Sequence, residues 1–306
     1  MCSHRARARW WQCHVSVGFI TNTCGRRREP IGAISGRHRQ NIVLEPRWAE
    51  GQYARYPALA AELVRLKVDV IVTPGNRPAT LAAKQATSTI PIVFMNAFDP
   101  VAQGLVASLA RPGGNITGLT SLVGPEFVGK QLELLTEAVP KLYRVAVLRN
   151  PTMTDARVLI REAEVAARSL KVQLHVVDAR GLAEFEGAFA AMIKERVSAI
   201  LVLADVVFLF NARQLADLAA KHRLPAMYQL REHVETGGLM AYAANLAELS
   251  RRASIYVGKI LQGAKPGDLP VEQPTKFDLV INLKTAKTLG LAIPQTLLQR
   301  ADHVIQ

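Results

Sequence analysis

Residues 143–177, YRVAVLRNPTMTDARVLIREAEVAARSLKVQLHVV, decide the fold class because they combine three recognisable segments. Residues 143–148 and 172–177 are short apolar runs rich in valine, which is typical of buried strands. Residues 154–170, between them, place apolar side chains at helical spacing. A strand, a helix and a second strand in this order form a unit whose two strands run parallel in one sheet.

The same alternation extends over most of the chain. The predicted strands are residues 41–48, 68–73, 90–95, 115–120, 143–148, 172–177, 197–204, 224–229 and 237–242. The predicted helices are residues 56–67, 78–86, 100–110, 125–139, 154–170, 183–195, 212–222 and 246–263. Apolar strands that alternate with helices form parallel sheets covered by helices on both faces, so we predict an α/β protein.

The number of strand–helix units favours two lobes. The units are too many for one compact doubly wound sheet. A (β/α)8 barrel fits the length of 306 residues. Residues 111–127 and 272–291, however, look like extended connections rather than barrel turns. We therefore predict two doubly wound parallel-sheet lobes.

Composition and charge describe a globular protein with a basic start. The chain is 49% hydrophobic, with a mean hydropathy of +0.11, and no apolar run reaches the ~18 residues of a membrane helix. The net charge is +13, but residues 1–40 hold eight arginines and one acidic residue and so supply +7 of it. The remaining lysines and arginines are scattered among acidic residues, which argues against a nucleic-acid groove.

Residues 1–40 differ from the rest of the chain. They contain all three cysteines and two of the three tryptophans, and they show no period apart from a short strand predicted at 16–20. The first residues are charged like a signal peptide, but no apolar segment follows, so no signal peptide is recognisable. A basic nucleic-acid arm and an arginine-rich targeting peptide are alternatives. We favour an aberrant or disordered segment that is not the natural start of the domain, as an out-of-frame reading would give.

Motifs for catalysis are incomplete. Residues 124–131, GPEFVGKQ, match the first part of a phosphate loop, but Gln131 stands where Ser or Thr must bind magnesium. The cysteine spacings match no zinc signature. We therefore predict no catalytic residue, no metal and no cofactor. The isolated histidines are His175, His222, His233 and His303.

Polar and aromatic residues that follow the predicted strands are the candidates for ligand binding, because ligands of open α/β sheets sit beyond the carboxyl ends of the strands. Helix capping is the alternative for many of them, since each cluster precedes a helix or turn. The candidates are Thr73, Pro74, Gly75, Asn76, Asn96, Asp99, Asn150, Thr154, Asp205, Phe208, Tyr228 and Tyr242.

Asp205 is the candidate that capping explains least. It lies between LVLA and VVFLF, and an unpaired carboxylate in apolar surroundings is costly. A ligand ammonium and a buried structural hydrogen-bond network are both open as its partner.

Three long segments carry a family resemblance. Residues 105–120, 219–242 and 263–298 resemble ABC transporter substrate-binding proteins of the tryptophan/tyrosine type, and the resemblance covers roughly residues 40–306. It implies a type I periplasmic-binding-protein fold whose N-terminal strand and helix are missing or aberrant here. The implied crossover segments lie near 117–122, 239–245 and 272–278. The implied domains are an N-terminal segment at 1–40, lobe 1 at 41–120 and 245–275, and lobe 2 at 121–244 and 276–306.

The resemblance implies a non-enzymatic function. The chain would be the solute-binding component of an ABC importer, which holds one small ligand in the cleft between the lobes and delivers it to a membrane permease with its ATPase. The implied location is periplasmic or lipid-anchored, and the expected state is a monomer without nucleic acid. A ligand-sensing regulator or an α/β enzyme acting on a small metabolite is the alternative, although residues 1–40 show no helix-turn-helix period.

The implied ligand is an amino acid, aromatic or branched, or an analogue. Asp205, or secondly Asp99, would pair with its ammonium group. The helix start after residues 73–75 would offer N–H groups to its carboxylate. The expected apolar wall consists of Phe208, Tyr228 and Tyr242.

Overall fold

The computed structural model describes residues 15–21, 42–50, 52–120, 126–153, 156–274 and 277–306. The chain divides into two compact units. Unit 1 comprises Met1–Leu122 and Leu246–Pro274, and unit 2 comprises Val123–Asn245 and Thr275–Gln306. The chain therefore passes three times from one unit to the other. Within the described ranges, no helix combines the length and the apolar character needed to cross a membrane.

The strands and helices follow in regular alternation. The strands are β1 (Val15–Thr21), β2 (Ile42–Trp48), β3 (Val70–Thr73), β4 (Ile92–Ala97), β5 (Ile116–Thr120), β6 (Arg144–Arg149), β7 (Gln173–Asp178), β8 (Ala199–Val202), β9 (Ala226–Tyr228), β10 (Met240–Ala244), β11 (Phe277–Asn282) and β12 (His303–Ile305). The helices are α1 (Tyr56–Arg65), α2 (Arg77–Ala86), α3 (Glu126–Ala138), α4 (Ala156–Leu170), α5 (Leu182–Lys194), α6 (Val206–Phe210), α7 (Ala212–Lys221), α8 (Arg231–Glu235), α9 (Leu246–Leu261), α10 (Leu283–Leu289) and α11 (Gln295–Arg300).

Unit 1 is built on a parallel five-stranded sheet of order β2-β1-β3-β4-β5. Strand β1 lies between β2 and β3, so the strand predicted at 16–20 is present in this sheet. The expectation of an aberrant segment otherwise concerns residues 1–14 and 22–40, which lie outside the described residues. Helix α9 packs on β3, β4 and β5, although it follows them by more than a hundred residues.

Unit 2 is built on a seven-stranded sheet of order β12-β11-β10-β9-β8-β6-β7. Its neighbouring strands pair in parallel except β10 and β11, which are antiparallel with Ala244 opposite Phe277, so β11 and β12 both run opposite to the other five strands. The chain leaves unit 2 after β10 and returns into β11, so it re-enters at the edge where it left. The predicted two-sheet α/β class is confirmed, with this one antiparallel pair as an addition to the purely parallel lobes that the sequence indicated.

The helix predicted at 100–110 is wrong, because this segment forms turns. Asp99 starts a single turn, in which Leu105 N–H donates to Pro100 O at 2.8 Å. Gly104 then adopts a left-handed φ of 70°, which ends the helical winding. Lys84 on α2 holds the turn by donating to the carbonyl oxygen of Gly104 at 2.6 Å.

Candidate functional site

The carboxyl ends of the parallel strands form one edge of each sheet, which we call the strand-end edge of that unit. In unit 1 this edge contains the segments after β3 and at the end of β4. In unit 2 it contains the segments after β6, β8 and β9 and the end of β10. These are the positions where open α/β sheets bind ligands.

The segment after β3 packs tightly against β4. Thr73 is fully buried, and its hydroxyl lies 2.9 Å from that of Thr80 on α2. Gly75 has a φ of 94°, and a Cβ at this position would lie 2.3 Å from the backbone carbon of Asn96. Only glycine therefore permits this approach of the two segments. Pro74, between them, is half-buried.

Asn76 caps helix α2. Its Oδ1 accepts a hydrogen bond from Ala79 N–H at 2.9 Å, and its Nδ2 donates to the hydroxyl of Tyr56 at 3.1 Å. Pro78, in the first turn of the helix, has no N–H to offer. The start of α2 therefore presents fewer donors to a ligand carboxylate than the sequence suggested.

Asn96 and Asp99 follow different patterns. Asp99 caps the turn after β4, since its Oδ1 accepts from Ala102 N–H at 3.0 Å. The Oδ1 of Asn96 is buried, and it takes no hydrogen bond from any residue that the structure describes. Of the two, Asn96 thus has the acceptor that a ligand donor could satisfy.

Asn150 and Asp205 form a buried hydrogen-bond network in unit 2. Asp205 caps α6, and its Oδ1 accepts from Val207 N–H at 2.8 Å and from Asn150 Nδ2 at 3.3 Å. Asn150 Oδ1 accepts from the hydroxyl of Thr152 at 2.7 Å. Of the two alternatives for Asp205, the structure shows the structural network, and a contact with a ligand stays a prediction. Thr154 lies outside the described residues.

Phe208 and Tyr228 are core residues of unit 2, which corrects their assignment to a ligand wall. Phe208 has no exposed surface and packs edge-on against Phe185 with ring centroids 5.7 Å apart. Tyr228 is 1% exposed and stacks on His233 at 4.8 Å. A Cβ on Gly238 would lie 2.5 Å from the Tyr228 ring, so glycine makes room for this stack.

Tyr242 belongs to a cluster of three half-buried rings, which we call the aromatic cluster. Its ring centroid lies 5.7 Å from that of Phe127 and 5.6 Å from that of Phe277, and these two lie 5.2 Å apart. Phe127 is in the first turn of α3, Tyr242 is near the end of β10, and Phe277 begins β11. Each ring thus lies close to a point where the chain passes between units. Sequence reasoning selected Tyr242 but missed Phe127 and Phe277.

Two buried glutamines fix the backbone beside this cluster. Gln131 Nε2 donates to the carbonyl oxygen of Tyr242 at 2.8 Å, and Gln131 Oε1 accepts from Gln229 Nε2 at 3.0 Å. Gln229 Oε1 in turn accepts from Ala204 N–H at 2.8 Å. This network links α3 to the segments after β8 and β9 and to β10. Gln131, which rules out a phosphate loop, therefore has a structural role.

Helix α8 carries two titratable residues that the sequence did not single out for binding, the half-buried Glu232 and the buried His233. The Oε2 of Glu232 is buried and has no hydrogen-bond partner among the described residues. Burial raises the pKa of Glu232, and Glu235 adds to this shift, whereas a hydrogen bond from the residue's own backbone N–H and the charge of Arg231 oppose it. Burial also lowers the pKa of His233 to about 4, so this imidazole is neutral at pH 7.

Metal binding has no support in the described part of the chain, which contains no group of three or more His, Cys, Asp or Glu side chains that could hold an ion. What the two edges offer instead is hydrogen-bond acceptors and a partly exposed set of rings. These groups suit the recognition of a small organic molecule.

Two α/β units connected by three passages of the chain, with such groups at the strand ends, define a two-lobed binding protein. The family described as ABC transporter substrate binding protein matches residues 37–305. The chain belongs to this family, whose members act outside the cytoplasm.

Individual relatives agree with this assignment. A tyrosine-binding protein of Clostridioides difficile (strain R20291) is 24% identical over 251 residues, which are 82% of this chain and 71% of that protein. The crystal structure of a conserved domain protein from Vibrio cholerae has a TM-score of 0.83 and 27% identity, covering 95% of this chain and 99% of that one.

The fold is that of type I periplasmic binding proteins, as predicted. An ABC domain from Streptococcus pneumoniae, solved in complex with L-Trp, has a TM-score of 0.85 and 22% identity. The alignment covers 95% of this chain and 100% of that one. At this identity the likeness establishes the fold, and the ligand has to be argued from the residues of this chain.

Proposed function

We propose that this protein is the solute-binding component of an ABC importer and that its ligand is an aromatic amino acid or a close analogue. The observation that carries the ligand class is the aromatic cluster of Phe127, Tyr242 and Phe277. Its rings are only half-buried, and their centroids are 5.2 to 5.7 Å apart. Aromatic rings pack favourably at such distances, so a fourth ring supplied by a ligand would extend the cluster.

The polar end of an amino acid needs hydrogen-bond partners. The buried Oδ1 of Asn96 is an acceptor without a partner among the described residues, so it suits an ammonium donor. Asn76 and Asp99 use their side-chain oxygens as caps, which makes them weaker candidates. We expect the ligand at a strand-end edge, because ligands of open α/β sheets bind beyond the carboxyl ends of the strands.

The names of the relatives support the same ligand class. One relative is described as tyrosine-binding, and one neighbour was solved with L-Trp. Because these two proteins are 24% and 22% identical to this chain, their ligands support a proposal about its ligand class. By the same family relationship, we propose that the protein acts outside the cytoplasm as a monomer and delivers its ligand to a permease driven by an ATPase.

A thermal-shift screen of the twenty amino acids tests the proposal. We expect L-tryptophan, L-tyrosine and L-phenylalanine to raise the unfolding temperature most, because a ligand at a hundred times its Kd adds about 2.7 kcal/mol to the free energy of unfolding. No shift with any amino acid, or larger shifts with aliphatic than with aromatic ones, would contradict the proposed ligand class.

A further inference from the structure

We propose that Glu232 of unit 2 is the carboxylate that pairs with the cationic amino group of the ligand, and that it thereby restricts binding to molecules with such a group. This inference rests on the proposed function. It names a residue that sequence reasoning passed over and replaces Asp205 as the first choice for this role.

The position of Glu232 places it at the strand-end edge of unit 2. Helix α8 follows β9 directly, so Glu232 is only three residues beyond Gln229, a span of about 10 Å at most. Gln229 is hydrogen-bonded through Gln131 to the carbonyl oxygen of Tyr242. These hydrogen bonds thus connect the segment that carries Glu232 to the aromatic cluster that would hold the ligand ring.

The hydrogen bonding of Glu232 is incomplete. A carboxylate can accept about four hydrogen bonds, yet its buried Oε2 accepts none from the residues that the structure describes. The neighbouring cation Arg231 donates its Nε–H to Glu235 at 2.8 Å, and it acts on Glu232 through its charge alone. A buried carboxylate oxygen in this state is unfavourable, and a ligand ammonium group would supply the missing donor and charge.

Asp205 provides the contrast within the same unit. It also follows a strand and is 5% exposed, but its Oδ1 already accepts from Val207 N–H and Asn150 Nδ2. At Asp205, hydrogen bonds from the protein therefore offset the cost of burying a carboxylate. At Glu232, the buried Oε2 has no such hydrogen bond from the described residues. Of the two carboxylates, Glu232 is the one whose environment is completed by a cation.

The test compares wild type with Glu232→Gln by calorimetry, using L-tryptophan and indole-3-propionate, which lacks the amino group. We expect Glu232→Gln to weaken L-tryptophan binding about 10- to 100-fold, because a charge-assisted hydrogen bond is lost. Binding of indole-3-propionate should change less than about threefold. Glu164→Gln, at an exposed glutamate of α4 in the same unit, is the matched control and should leave both affinities unchanged.

The stability of the ligand-free protein separates a binding role from a structural one. If Glu232 serves the ligand, Glu232→Gln removes an unpaired buried charge and leaves the unfolding temperature equal or higher. Glu232→Asp keeps the charge and should retain intermediate L-tryptophan affinity.

Three outcomes overturn the inference. They are an unchanged L-tryptophan affinity in Glu232→Gln, an equal loss for both ligands, and a lower unfolding temperature of the ligand-free variant. Each of them leaves the proposed function intact, provided that the wild type binds L-tryptophan. A wild-type protein that binds none of the twenty amino acids contradicts the proposed function, and the role of Glu232 with it.

Discussion

The strand-end edges of the two units differ in how their groups are satisfied. In unit 1, Thr73 pairs with Thr80, and Asn76 bonds to Tyr56 and to the backbone of α2. In unit 2, half-buried rings form the aromatic cluster, and Glu232 keeps a buried oxygen unpaired among the described residues.

This difference predicts which residues determine the stability of the fold and which determine the selectivity for the ligand. Polar groups that already form hydrogen bonds with each other gain little from a ligand. Partly exposed rings and an oxygen without a hydrogen-bond donor gain new contacts when a ligand binds. We therefore expect changes at Thr73, Gly75 and Asn76 of the unit 1 edge to act chiefly on folding, whereas Asn96 keeps a buried acceptor for the ligand. Changes at the aromatic cluster and Glu232 should act chiefly on affinity and on the choice of ligand.

The largest effect on folding is expected at Gly75. The substitution Gly75→Ala places a Cβ 2.3 Å from the backbone of Asn96 at a φ of 94°, and should lower the free energy of unfolding by more than about 3 kcal/mol. Gly104→Ala is the matched control, because φ is also positive there, at 70°, but no atom lies within 4 Å of the new Cβ. It should cost about 1–2 kcal/mol in urea titrations. Equal losses for the two variants would show that the approach of β3 and β4 is not tight.

The next largest effect is the pH dependence of the free energy of unfolding that arises from His233. Its folded-state pKa of about 4 lies below the ordinary value of 6.5, so the unfolded chain binds a proton that the folded chain rejects between these values. The contribution of neutral His233 is fully present above pH 6.5 and is lost as the pH falls towards 4. The loss amounts to about 3 kcal/mol.

The variant His233→Phe, which keeps a ring against Tyr228, isolates this effect. Unfolding titrations of both proteins should show a difference that shifts in favour of Phe as the pH falls from 6.5 to 4. Glu232 titrates in both proteins, so its contribution cancels to first approximation. A difference that does not depend on pH would contradict a buried neutral imidazole.

A smaller effect is expected at Gln131. The substitution Gln131→Leu leaves Gln229 Nε2 and the carbonyl oxygen of Tyr242 without their partner, which should cost about 1–3 kcal/mol of unfolding free energy. Because this network holds the backbone at the aromatic cluster, affinity should fall as well. A double-mutant cycle with Gln229→Leu checks the pair, and strictly additive losses would mean that the two glutamines do not cooperate.

The smallest effect is expected at Asp205. Asparagine also caps helices, so Asp205→Asn should retain the α6 cap and change stability by about 1 kcal/mol at most. L-tryptophan affinity should change less than about threefold, in contrast to Glu232→Gln. A tenfold or larger loss in calorimetry would return Asp205 to the ligand and remove the contrast between the two carboxylates.

The alternation of elements was predictable because apolar runs and helical spacing are local properties of the sequence. The antiparallel direction of β11 was not, since an apolar strand carries no mark of its direction. The turn at 100–107 was misread because its apolar residues have helical spacing, whereas Gly104 adopts a left-handed φ.

The site was less predictable than the fold because its decisive properties are tertiary. Phe208 and Tyr228 follow or end strands as a ligand residue would, but they point into the core. Phe127 and Phe277 lie 150 positions apart in the sequence and meet only through the return of the chain into β11. Glu232 lies in a polar stretch, and nothing local shows that its oxygen is buried.

The most direct measurement of the central claim is calorimetric titration of the protein with L-tryptophan, L-tyrosine and L-leucine, repeated with Phe127→Leu. We expect at least one aromatic amino acid to bind about tenfold or more tightly than leucine, because ring contacts add to apolar burial. The Phe127→Leu variant should narrow this ratio. Leucine binding as tightly as both aromatic amino acids, or a ratio unchanged in Phe127→Leu, would contradict recognition of an aromatic ligand by this cluster.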